Sequence, residues 1–450
     1  MYDFGRSSRR LRRRRTWTLV TAAAVVIAVV LVIAHRGHHF ALVSGRAAAS
    51  RASTAPRAPA GPSATATGTT LATADGITAP AIAAKSYELL DVRSGQVLAA
   101  SNANLEIPPA SLAKLMTFDL TLQALAAGRI QLTAAVPLGP GVRTLSRNPN
   151  ISDMSLDLPP GATVPLKQLM LGMMVASGND AALAVAEYVG GTESNFVSMM
   201  NAEAAKLGMT RTHFLDSYGL NGAEVTTAAD MAILARHVWL TYPKLYAEFT
   251  DVPTFSWNPP GQHPIRFDNY NQLIGVDSAV TGMKSGYLGP SVGWHLVTSA
   301  RQGQTELVAA VMGTATQQAS AQLSRTLLDW GFAHFRDLQV AWTKALPAGG
   351  LRVWKAKSPR VPVTVAAQPW IVVPNTSTAP SSTMPAPAVA ATLPAYLEAP
   401  VRPGQTVGTV RALEGGHVLA AVPVTVRVAD PRGSLPAVLW GGFRLWLRHR

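Results

Sequence analysis

The chain has 450 residues, more than one ordinary hydrophobic core accommodates, so we expect two or three domains with tails. It contains no cysteine, which excludes disulfide bonds, thiolate metal sites and a cysteine nucleophile. The formal net charge is +14, but much of the positive charge lies at the two ends of the chain. We find no basic patch interleaved with aromatic residues and no helix-turn-helix pattern, so we predict no nucleic-acid partner.

The first 45 residues place a basic segment directly before an apolar one. The arginines between Arg6 and Arg15 precede the uncharged stretch WTLVTAAAVVIAVVLVIA at residues 17–34. A helix of about 18 apolar residues is long enough to cross a bilayer, and its basic flank stays on the cytoplasmic side. We therefore expect a transmembrane helix in the cytoplasmic membrane, with the following residues on the outer, periplasmic face. A signal peptide cleaved near residues 45–49 remains the alternative, because it has the same order of charged and apolar segments.

Residues 46–80 are rich in Ala, Ser, Thr, Pro and Gly and contain almost no large apolar side chains. Such a segment buries too little surface to offset the entropy lost on ordering. The composition therefore predicts a flexible linker, which would tether the folded part of the chain to the anchor.

Residues 81–337 have the pattern of a mixed α/β domain. Two apolar runs in AKSYELLDVRSGQVLAA flank the turn Arg93-Ser94-Gly95 and predict a β-hairpin. Three segments then repeat apolar residues at helical spacing: residues 111–127, 165–189 and 194–207. Two strands and a closing helix are predicted after them, at residues 294–299, 307–312 and 323–335. Strands at both ends with helices between them indicate one sheet assembled from distant parts of the chain.

Residues 338–432 change to short β patterns. Two β-rich runs are followed by a loop rich in Pro, Ser, Thr and Ala, at residues 361–365, 370–373 and 374–394. Valines alternate strictly from Val422 to Val428, which is typical of a half-buried strand. We therefore predict a small all-β domain for this region.

Residues 433–450 form the last predicted segment. Large apolar residues fall on one helical side, at Leu435, Leu439, Trp440, Phe443, Trp446 and Leu447. Small and basic residues fall on the other side, which predicts an amphipathic helix lying in a membrane interface. A helix packed on the β domain remains the alternative, since amphipathicity serves either use.

The stretch PPASLAKLMT places Ser111 and Lys114 one helical turn apart amid apolar residues. Side chains at this spacing lie on the same side of a helix and can form a hydrogen bond. A serine nucleophile needs a base, and a desolvated lysine has its pKa lowered enough to supply one. Taken alone, S-x-x-K is more typical of a capped helix with a solvated lysine.

Two further polar motifs strengthen the chemical interpretation. Ser-Gly-Asn at residues 177–179 interrupts a helical pattern and offers a second hydroxyl and an amide. Lys-Ser-Gly at residues 284–286 stands just before a predicted strand, where an ammonium and a hydroxyl can hold a carboxylate. Each motif alone is typical of a loop or turn. In the order S-x-x-K, S-x-N, K-[TS]-G, however, they match the signature set of serine β-lactamases and penicillin-binding proteins.

On these motifs the chain resembles low-molecular-mass penicillin-binding proteins of the D-alanyl-D-alanine carboxypeptidase family, serine peptidases that trim peptidoglycan stem peptides. The similarity covers residues 84–340 through AKSYELLDVRSGQVLA, PPASLAKLMT, LPPGATVPLKQLMLGMMVASGNDAALAVAEYVGG, KLGMTRTHFLDSYGL and GMKSGY. It implies an α/β (α+β) domain like that of the β-lactamases, with an antiparallel sheet flanked by helices and a small β-rich appendage after it. It also implies a penicillin-inhibited carboxypeptidase without a cofactor, whose partners are peptidoglycan stem peptides, β-lactams and the membrane.

The resemblance also implies a role for each motif residue. The catalytic residues would be Ser111 as the acylated nucleophile, Lys114 as its general base and Ser177 as a proton relay to the leaving D-alanine. The substrate-binding residues would be Asn179 for the peptide amide, Lys284 and Ser285 for the terminal carboxylate, Gly286 for close approach of the substrate, and Tyr287. The backbone N–H groups of Ser111 and Tyr287 would form the oxyanion hole. Ser285 departs from the family pattern, in which threonine is more frequent; the hydroxyl is kept and the methyl packing is lost.

Other chemistries have weaker support. The sequence Gly289-Pro290-Ser291-Val292-Gly293 matches the G-x-S-x-G nucleophile elbow, but that elbow needs a helix after it and a strand is predicted instead. Ser291 is therefore interpreted as a loop residue. The histidines show no H-E-x-x-H or comparable spacing, so we predict no catalytic metal; those considered are His38, His39, His213, His237, His263 and His295.

Related functions share the same three motifs. An endopeptidase that cleaves peptidoglycan cross-links and a β-lactamase are the enzymatic alternatives. No residue is assignable as the separate deacylating glutamate of class A β-lactamases, so slow release of penicillin is expected. A non-catalytic module that binds muropeptides or β-lactams is the remaining alternative, and the chemically competent residues in all three motifs argue against it.

Overall fold

The computed structural model of the chain describes residues 77–261, 263–365, 370–375, 386–436 and 438–440. The predicted membrane anchor, most of the predicted linker and the last ten positions, residues 441–450, lie outside this part. Within the described part, none of the helices combines the length and apolarity needed to cross a bilayer. Near the first described residues, the indole N–H of Trp330 donates a hydrogen bond to the carbonyl oxygen of Thr78 at 3.0 Å.

In sequence, the helices of the described part lie mainly between the first two and the last three strands of one central sheet. In chain order they are α1 (Ala113–Ala126), α2 (Pro140–Ser146), α3 (Leu166–Met174), α4 (Asn179–Gly190), α5 (Glu193–Leu207), α6 (Ala228–Thr241), α7 (Pro243–Thr250) and α8 (Gln317–His334). The predicted helices at 111–127 and 194–207 are confirmed as α1 and α5. The predicted segment 165–189 is confirmed as α3 and α4, divided where the Ser-Gly-Asn motif interrupts the pattern. Helices α2, α6 and α7 were not predicted.

Threonine caps explain where three of these helices begin. Thr192, Thr227 and Thr316 precede α5, α6 and α8, and each hydroxyl accepts a hydrogen bond from a backbone N–H three residues further on. This bond satisfies one of the free donors at a helix start. The prediction for α8 was therefore too short: the helix begins at Gln317 rather than Leu323.

The strands of the described part form one large sheet and several small ones. In chain order they are β1 (Ser86–Asp91), β2 (Val97–Ser101), β3 (Ala135–Pro137), β4 (Thr163–Pro165), β5 (Thr254–Trp257), β6 (Ile265–Asp268), β7 (Val280–Tyr287), β8 (Trp294–Gln302), β9 (Thr305–Thr314), β10 (Phe335–Gln339), β11 (Leu351–Trp354), β12 (Arg360–Val361), β13 (Val363–Val365), β14 (Trp370–Pro374), β15 (Ala388–Thr392), β16 (Leu397–Glu398), β17 (Thr406–Glu414) and β18 (His417–Val426).

The central sheet has five strands in the order β2-β1-β9-β8-β7, and every neighbouring pair is antiparallel. The predicted hairpin is confirmed as β1 and β2, and the two later predicted strands are confirmed within β8 and β9. Leu89 pairs with Ala309, so the hairpin at the start of the domain joins strands from more than 200 residues later. This confirms a mixed α/β fold whose sheet is assembled from distant segments.

Helices cover both faces of this sheet, as alternating side chains on β9 show. Val308, Ala310 and Met312 belong to the core that contains α1 and α3 to α6, whereas Leu307, Ala309 and Val311 belong to the core that contains α8. Successive side chains of a strand point to opposite faces, so one strand serves two cores. β7 lies at an edge of the sheet.

The region after α8 is rich in β-structure. Its largest sheet has the order β13-β18-β17-β15, and two smaller sheets are formed by β12-β11-β16 and β10-β14. The predicted loop at 374–394 was wrong in part, because Ala388–Thr392 forms β15 and pairs with β17. Backbone hydrogen bonds make this pairing, so a segment of small residues adopts it without a strong apolar pattern. The predicted valine alternation ends early, since Val428 lies beyond β18 and is exposed.

The chain is helical again at residues 435–436 and 438–440. Leu435, Leu439 and Trp440 are exposed there. These residues belong to the predicted apolar side of the amphipathic helix, and the remainder of that segment lies outside the described residues. The membrane-associating helix stays a prediction.

Candidate active site

The S-x-x-K motif lies at the start of α1. Ser111 is in a short 3-10 turn, Ala110–Leu112, that leads directly into the helix, and Lys114 is in the first helical turn. The Lys114 side chain is completely buried, and its Nζ lies 2.9 Å from Ser111 Oγ. The spacing predicted from the sequence therefore gives a direct hydrogen bond between the two motif residues.

Two further contacts fix the direction of the Lys114 amine. Its Nζ donates to Asn179 Oδ1 at 2.8 Å and to the carbonyl oxygen of Tyr218 at 2.7 Å. Both partners accept hydrogen bonds only, so two N–H groups of the amine are directed away from Ser111. In the neutral amine the lone pair then faces the Ser111 hydroxyl.

The environment of Lys114 favours this neutral form. Burial lowers its pKa well below the usual value, and the nearby charge of Lys284 lowers it further. Asp216, Glu224 and Asp180 act in the opposite direction through their charges. Desolvation is the largest effect because a buried ammonium loses its water without gaining a direct carboxylate partner.

The second motif lies between α3 and α4. Ser177 has a left-handed backbone conformation, with φ of 55°, at the interruption between the two helices. Asn179 is the first residue of α4, and its Nδ2 donates to the carbonyl oxygen of Ser152 at 2.7 Å. Because this bond fixes the orientation of the amide, the side-chain oxygen of Asn179 faces Lys114.

The third motif lies within β7, not before a strand as predicted from the sequence. Lys284 is buried, and its Nζ donates to Ser177 Oγ at 3.0 Å and to the carbonyl oxygen of Ser285 at 3.1 Å. Burial lowers the pKa of Lys284 to about 7. The structure therefore joins Lys284 to Ser177 across 107 residues of sequence.

Gly286 allows β7 to pack directly against the turn that carries Ser111. A Cβ at this position would lie 3.2 Å from the backbone nitrogens of Ser111 and Leu112 and from the carbonyl oxygen of Pro109. A larger residue would push the strand away from the serine, so glycine serves close approach between protein segments. Ser285 is buried beside it, and Tyr287 is partly exposed and stacks on Trp294 with ring centroids 4.6 Å apart.

A loop at residues 215–224 supports Lys114 and was not assigned a site role from the sequence. The carboxylate of Asp216 accepts hydrogen bonds from four successive backbone N–H groups, those of Tyr218, Gly219, Leu220 and Asn221. This holds the Tyr218 carbonyl in place for Lys114. The turn-forming residues Asp, Gly and Asn in DSYGLN were a readable indication of such a loop.

Gly219 in the same loop touches the nucleophile turn. It has φ of 85°, and a Cβ built on it would lie 1.8 Å from the carbonyl oxygen of Ala110. No side chain fits that space. Burial together with the charge of Asp216 raises the pKa of Glu224 to about 7, and its carboxyl accepts hydrogen bonds from the backbone N–H groups of Leu215 and Asp216.

His295 and Asp180 hold neighbouring backbone in place. The Nδ1 of buried His295 accepts from the N–H of Gly313 at 2.9 Å, and its Nε2 donates to the carbonyl oxygen of Pro108 at 3.0 Å. Burial lowers the pKa of His295 to about 4, so the ring is neutral. The Asp180 carboxylate accepts from the N–H groups of Met154 and Leu156 and so fixes that segment against the start of α4.

The structure excludes the alternative nucleophile elbow at Ser291. This serine lies between β7 and β8, and the segment after it is the strand β8, which begins at Trp294. A nucleophile elbow requires a helix at that position. The interpretation of Ser291 as a loop residue is therefore confirmed.

Comparisons with known proteins agree with this geometry. Residues 73–316 match the family model described as D-alanyl-D-alanine carboxypeptidase. The D-alanyl-D-alanine carboxypeptidase DacC of Escherichia coli is 32% identical over 370 residues, which cover 81% of this chain and 88% of that protein. The D-alanyl-D-alanine carboxypeptidase DacF of Bacillus subtilis is 30% identical over 346 residues, covering 76% of this chain and 85% of that protein.

Solved structures show the same relationship. The crystal structure of penicillin-binding protein 5 from Haemophilus influenzae aligns with a TM-score of 0.67 and 31% identity, covering 79% of this chain and 100% of that one. Penicillin-binding protein 6B from Escherichia coli aligns with a TM-score of 0.61 and 29% identity, covering 77% of this chain and 96% of that one. Both alignments extend beyond the segment that the family model covers.

Proposed function

The chain belongs to the D-alanyl-D-alanine carboxypeptidase family and is a serine-type D-alanyl-D-alanine carboxypeptidase, in which we propose that Ser111 is the acylated nucleophile. It removes the terminal D-alanine from peptidoglycan stem pentapeptides through an acyl-enzyme. Penicillin acylates and inhibits it, because the β-lactam amide takes the place of the peptide bond.

One observation carries the assignment of the nucleophile and base. The Lys114 amine directs two N–H groups to Asn179 and Tyr218, which leaves its lone pair facing the Ser111 hydroxyl at 2.9 Å. Burial lowers the pKa of that amine, which favours its neutral form. A general base must lie within hydrogen-bond reach of the proton that it takes, and Lys114 meets this requirement before substrate binds.

The proposed reaction has two steps. In acylation, Ser111 Oγ bonds to the carbonyl carbon of the penultimate D-alanine while Lys114 takes the hydroxyl proton. The C–N bond then breaks, and Ser177 relays the proton that Lys114 took to the amine of the departing D-alanine, which returns Lys114 to its neutral form. In deacylation, water attacks the ester carbon, Lys114 takes its proton, and the C–O bond to Ser111 breaks as Oγ is reprotonated. Backbone N–H groups of Ser111 and Tyr287 stabilise the oxyanion in both steps.

The substrate's carboxylate end is assigned to β7. Lys284 and Ser285 bind the terminal carboxylate, and Gly286 keeps β7 close to the turn that carries Ser111. The Lys284 ammonium already donates to Ser177 Oγ. The same group therefore contacts both the relay hydroxyl and the substrate carboxylate. Asn179 contributes its second N–H to the peptide, because its oxygen and its other N–H are occupied by Lys114 and Ser152.

Attachment to the cytoplasmic membrane is also part of the proposal. It is supported by the apolar stretch at residues 17–34 after a basic segment, and by exposed Leu435, Leu439 and Trp440 at the start of the C-terminal helix. In this arrangement residues 81–337 are the catalytic domain on the outer face, and residues 338–432 are a β-rich spacer between it and the membrane.

The proposal is tested with the full chain in detergent. Fluorescent penicillin should label the wild-type protein covalently, peptide mapping should place the label on Ser111, and a pentapeptide ending in D-Ala-D-Ala should release D-alanine. Ser111→Ala should lose labelling and release together, whereas the loop control Ser291→Ala should keep both. Labelling at Ser291, or D-alanine release by Ser111→Ala, would overturn the assignment. Cross-linked muropeptides in the same assay measure any endopeptidase activity.

A further inference from the structure

A second cluster of ionisable side chains lies between three helices, apart from the catalytic motifs. Asp119 of α1, Glu203 of α5 and His237 of α6 each direct one ligand atom to a common point, and these atoms all lie within 4.8 Å of one another. The three residues come from segments 84 and 34 positions apart in the sequence, which explains why no spacing motif indicated them.

The contact between Asp119 and His237 has the geometry of two metal ligands. Asp119 is completely buried, and its Oδ1 lies 3.3 Å from His237 Nε2. Neither atom makes a hydrogen bond to any described residue. Two ligands on one tetrahedral zinc ion, each bonded at about 2.0–2.1 Å, are separated by about 3.3–3.4 Å. The observed distance already matches that separation.

The atoms of Asp119 and His237 that face away from the cluster, Oδ2 and Nδ1, contact neighbouring polar side chains, as is usual for metal ligands. Gln123 Nε2 donates to Asp119 Oδ2 at 2.8 Å, and Thr241 Oγ1 lies 3.4 Å from His237 Nδ1. A histidine that binds metal through Nε2 carries its proton on Nδ1 and donates it to a nearby acceptor, which fixes the ring. Gln123 and Thr241 orient the two free ligand atoms towards each other.

Glu203 is the third residue of the cluster. Its carboxylate is paired with the ammonium of Lys206, which a metal ion can displace. Lys206 Nζ contacts both carboxylate oxygens of Glu203, at 3.0 and 3.1 Å. The Lys206 side chain is 68% exposed, whereas that of Glu203 is 8% exposed. An ion pair with so exposed a partner contributes little to stability, so displacing the ammonium costs little.

We propose that Asp119, Glu203 and His237 bind a divalent transition-metal ion of the zinc class, with water as the fourth ligand. The donor set of one imidazole and two carboxylates suits zinc. The His237 side chain is 24% exposed, so the cluster lies near the protein surface. The ion ties α1, the helix that carries Lys114, to α5 and α6 and stabilises the fold; it does not touch the substrate.

The test uses zinc chloride and the full chain in detergent, prepared without a histidine tag. His35, His38 and His39 are replaced by glutamine in this parent protein, because they form a second set of imidazoles near the N-terminus. After dialysis against a chelator, calorimetry and metal analysis should give one zinc ion per chain, and zinc should raise the melting temperature. Bound Co²⁺ should show the visible absorption of a four-coordinate site.

Substitutions in the cluster separate this site from adventitious binding. Asp119→Asn and His237→Gln should each weaken zinc binding at least ~100-fold, since each removes a direct ligand. Lys206→Met should strengthen binding, because it removes the cation that competes for Glu203. The exposed controls Asp268→Asn and His417→Gln should bind zinc as the parent protein does.

Three results would overturn the inference: no zinc binding by the parent protein, binding that Asp119→Asn and His237→Gln leave unchanged, or weaker binding in Lys206→Met. The first result would leave Asp119 and His237 as a side-chain contact without a metal ion. None of these readouts uses penicillin labelling or D-alanine release, so the metal site and the proposed catalytic roles succeed or fail independently.

Discussion

The catalytic region and the β-rich region after it bury different kinds of side chain. The catalytic region encloses Lys114, Lys284 and several carboxylates, whereas among the described residues beyond Leu351 the one buried polar or charged residue is Asp430. Burial of a charged group is costly unless partners compensate for the lost water. The proposed catalytic lysines therefore lie in the region that buries many charged groups, whereas the β-rich region buries almost none.

Substitution of Lys114, one of the charged residues buried in the catalytic region, should have the largest effect on activity. Lys114→Met keeps the length and removes the base, so penicillin acylation and D-alanine release should fall by ~10³-fold, as expected for loss of a general base. Stopped-flow acylation and a coupled D-alanine assay measure the two rates. Lys244→Met, at an exposed lysine of α7, is the matched control and should keep both rates. A Lys114→Met protein with more than a tenth of wild-type activity would contradict the role of Lys114.

Gly219 tests whether the loop at residues 215–224 positions the nucleophile. Gly219→Ala places a methyl group 1.8 Å from the carbonyl oxygen of Ala110 and must displace the turn that carries Ser111. A displacement of about 1 Å costs about 10²-fold in rate, so kcat should fall by this amount in a folded protein. Gly222→Ala is the control, because no atom lies within 4 Å of the added carbon. Unchanged kcat in Gly219→Ala would show that the loop tolerates displacement without moving the serine.

The pH dependence tests the charge of Lys284. Its pKa of about 7 in the free enzyme means that the ammonium loses its proton as the pH rises through 7. If the ammonium binds the substrate carboxylate, kcat/KM should fall about tenfold per pH unit above that pKa. The bound carboxylate raises the pKa of Lys284, so kcat should fall only at higher pH.

Lys284→Arg provides the comparison for this profile, since guanidinium remains charged over the whole range. Its kcat/KM will be lower in absolute value but should lack the alkaline fall near pH 7. An alkaline fall that persists unchanged in Lys284→Arg would assign it to another group.

A core substitution in the β-rich region should have the smallest effect on activity. Val410 is completely buried in β17, and Val410→Ala removes about two methylene equivalents, which lowers the free energy of unfolding by about 2 kcal/mol. Thermal denaturation measures the loss, and kcat at 25 °C should stay at the wild-type value. Val418→Ala, at an exposed position of β18, should change neither quantity. A reduced kcat in folded Val410→Ala would show that this region shapes the active site.

Local sequence patterns predicted the elements that have strong periodicity or clear turns. The β1–β2 hairpin, α1, α5 and the cores of β8 and β9 were all predicted, because alternating or helical spacing of apolar residues is a local property. Short helices such as α2 and α7 were not, since few turns give little periodicity. β15 was assigned to a loop because its small residues form a strand only when β17 offers backbone partners.

The site divides in the same way. The contact of Ser111 with Lys114 was determined by sequence, because residues three apart in a helix lie on one side whatever surrounds them. Burial of Lys114, the bond from Lys284 to Ser177, and the support from the loop at residues 215–224 were decided by tertiary structure. Tertiary structure also brings Asp119, Glu203 and His237 together between three helices. Helical geometry fixes neighbours within an element, whereas contacts between elements depend on how their apolar faces pack.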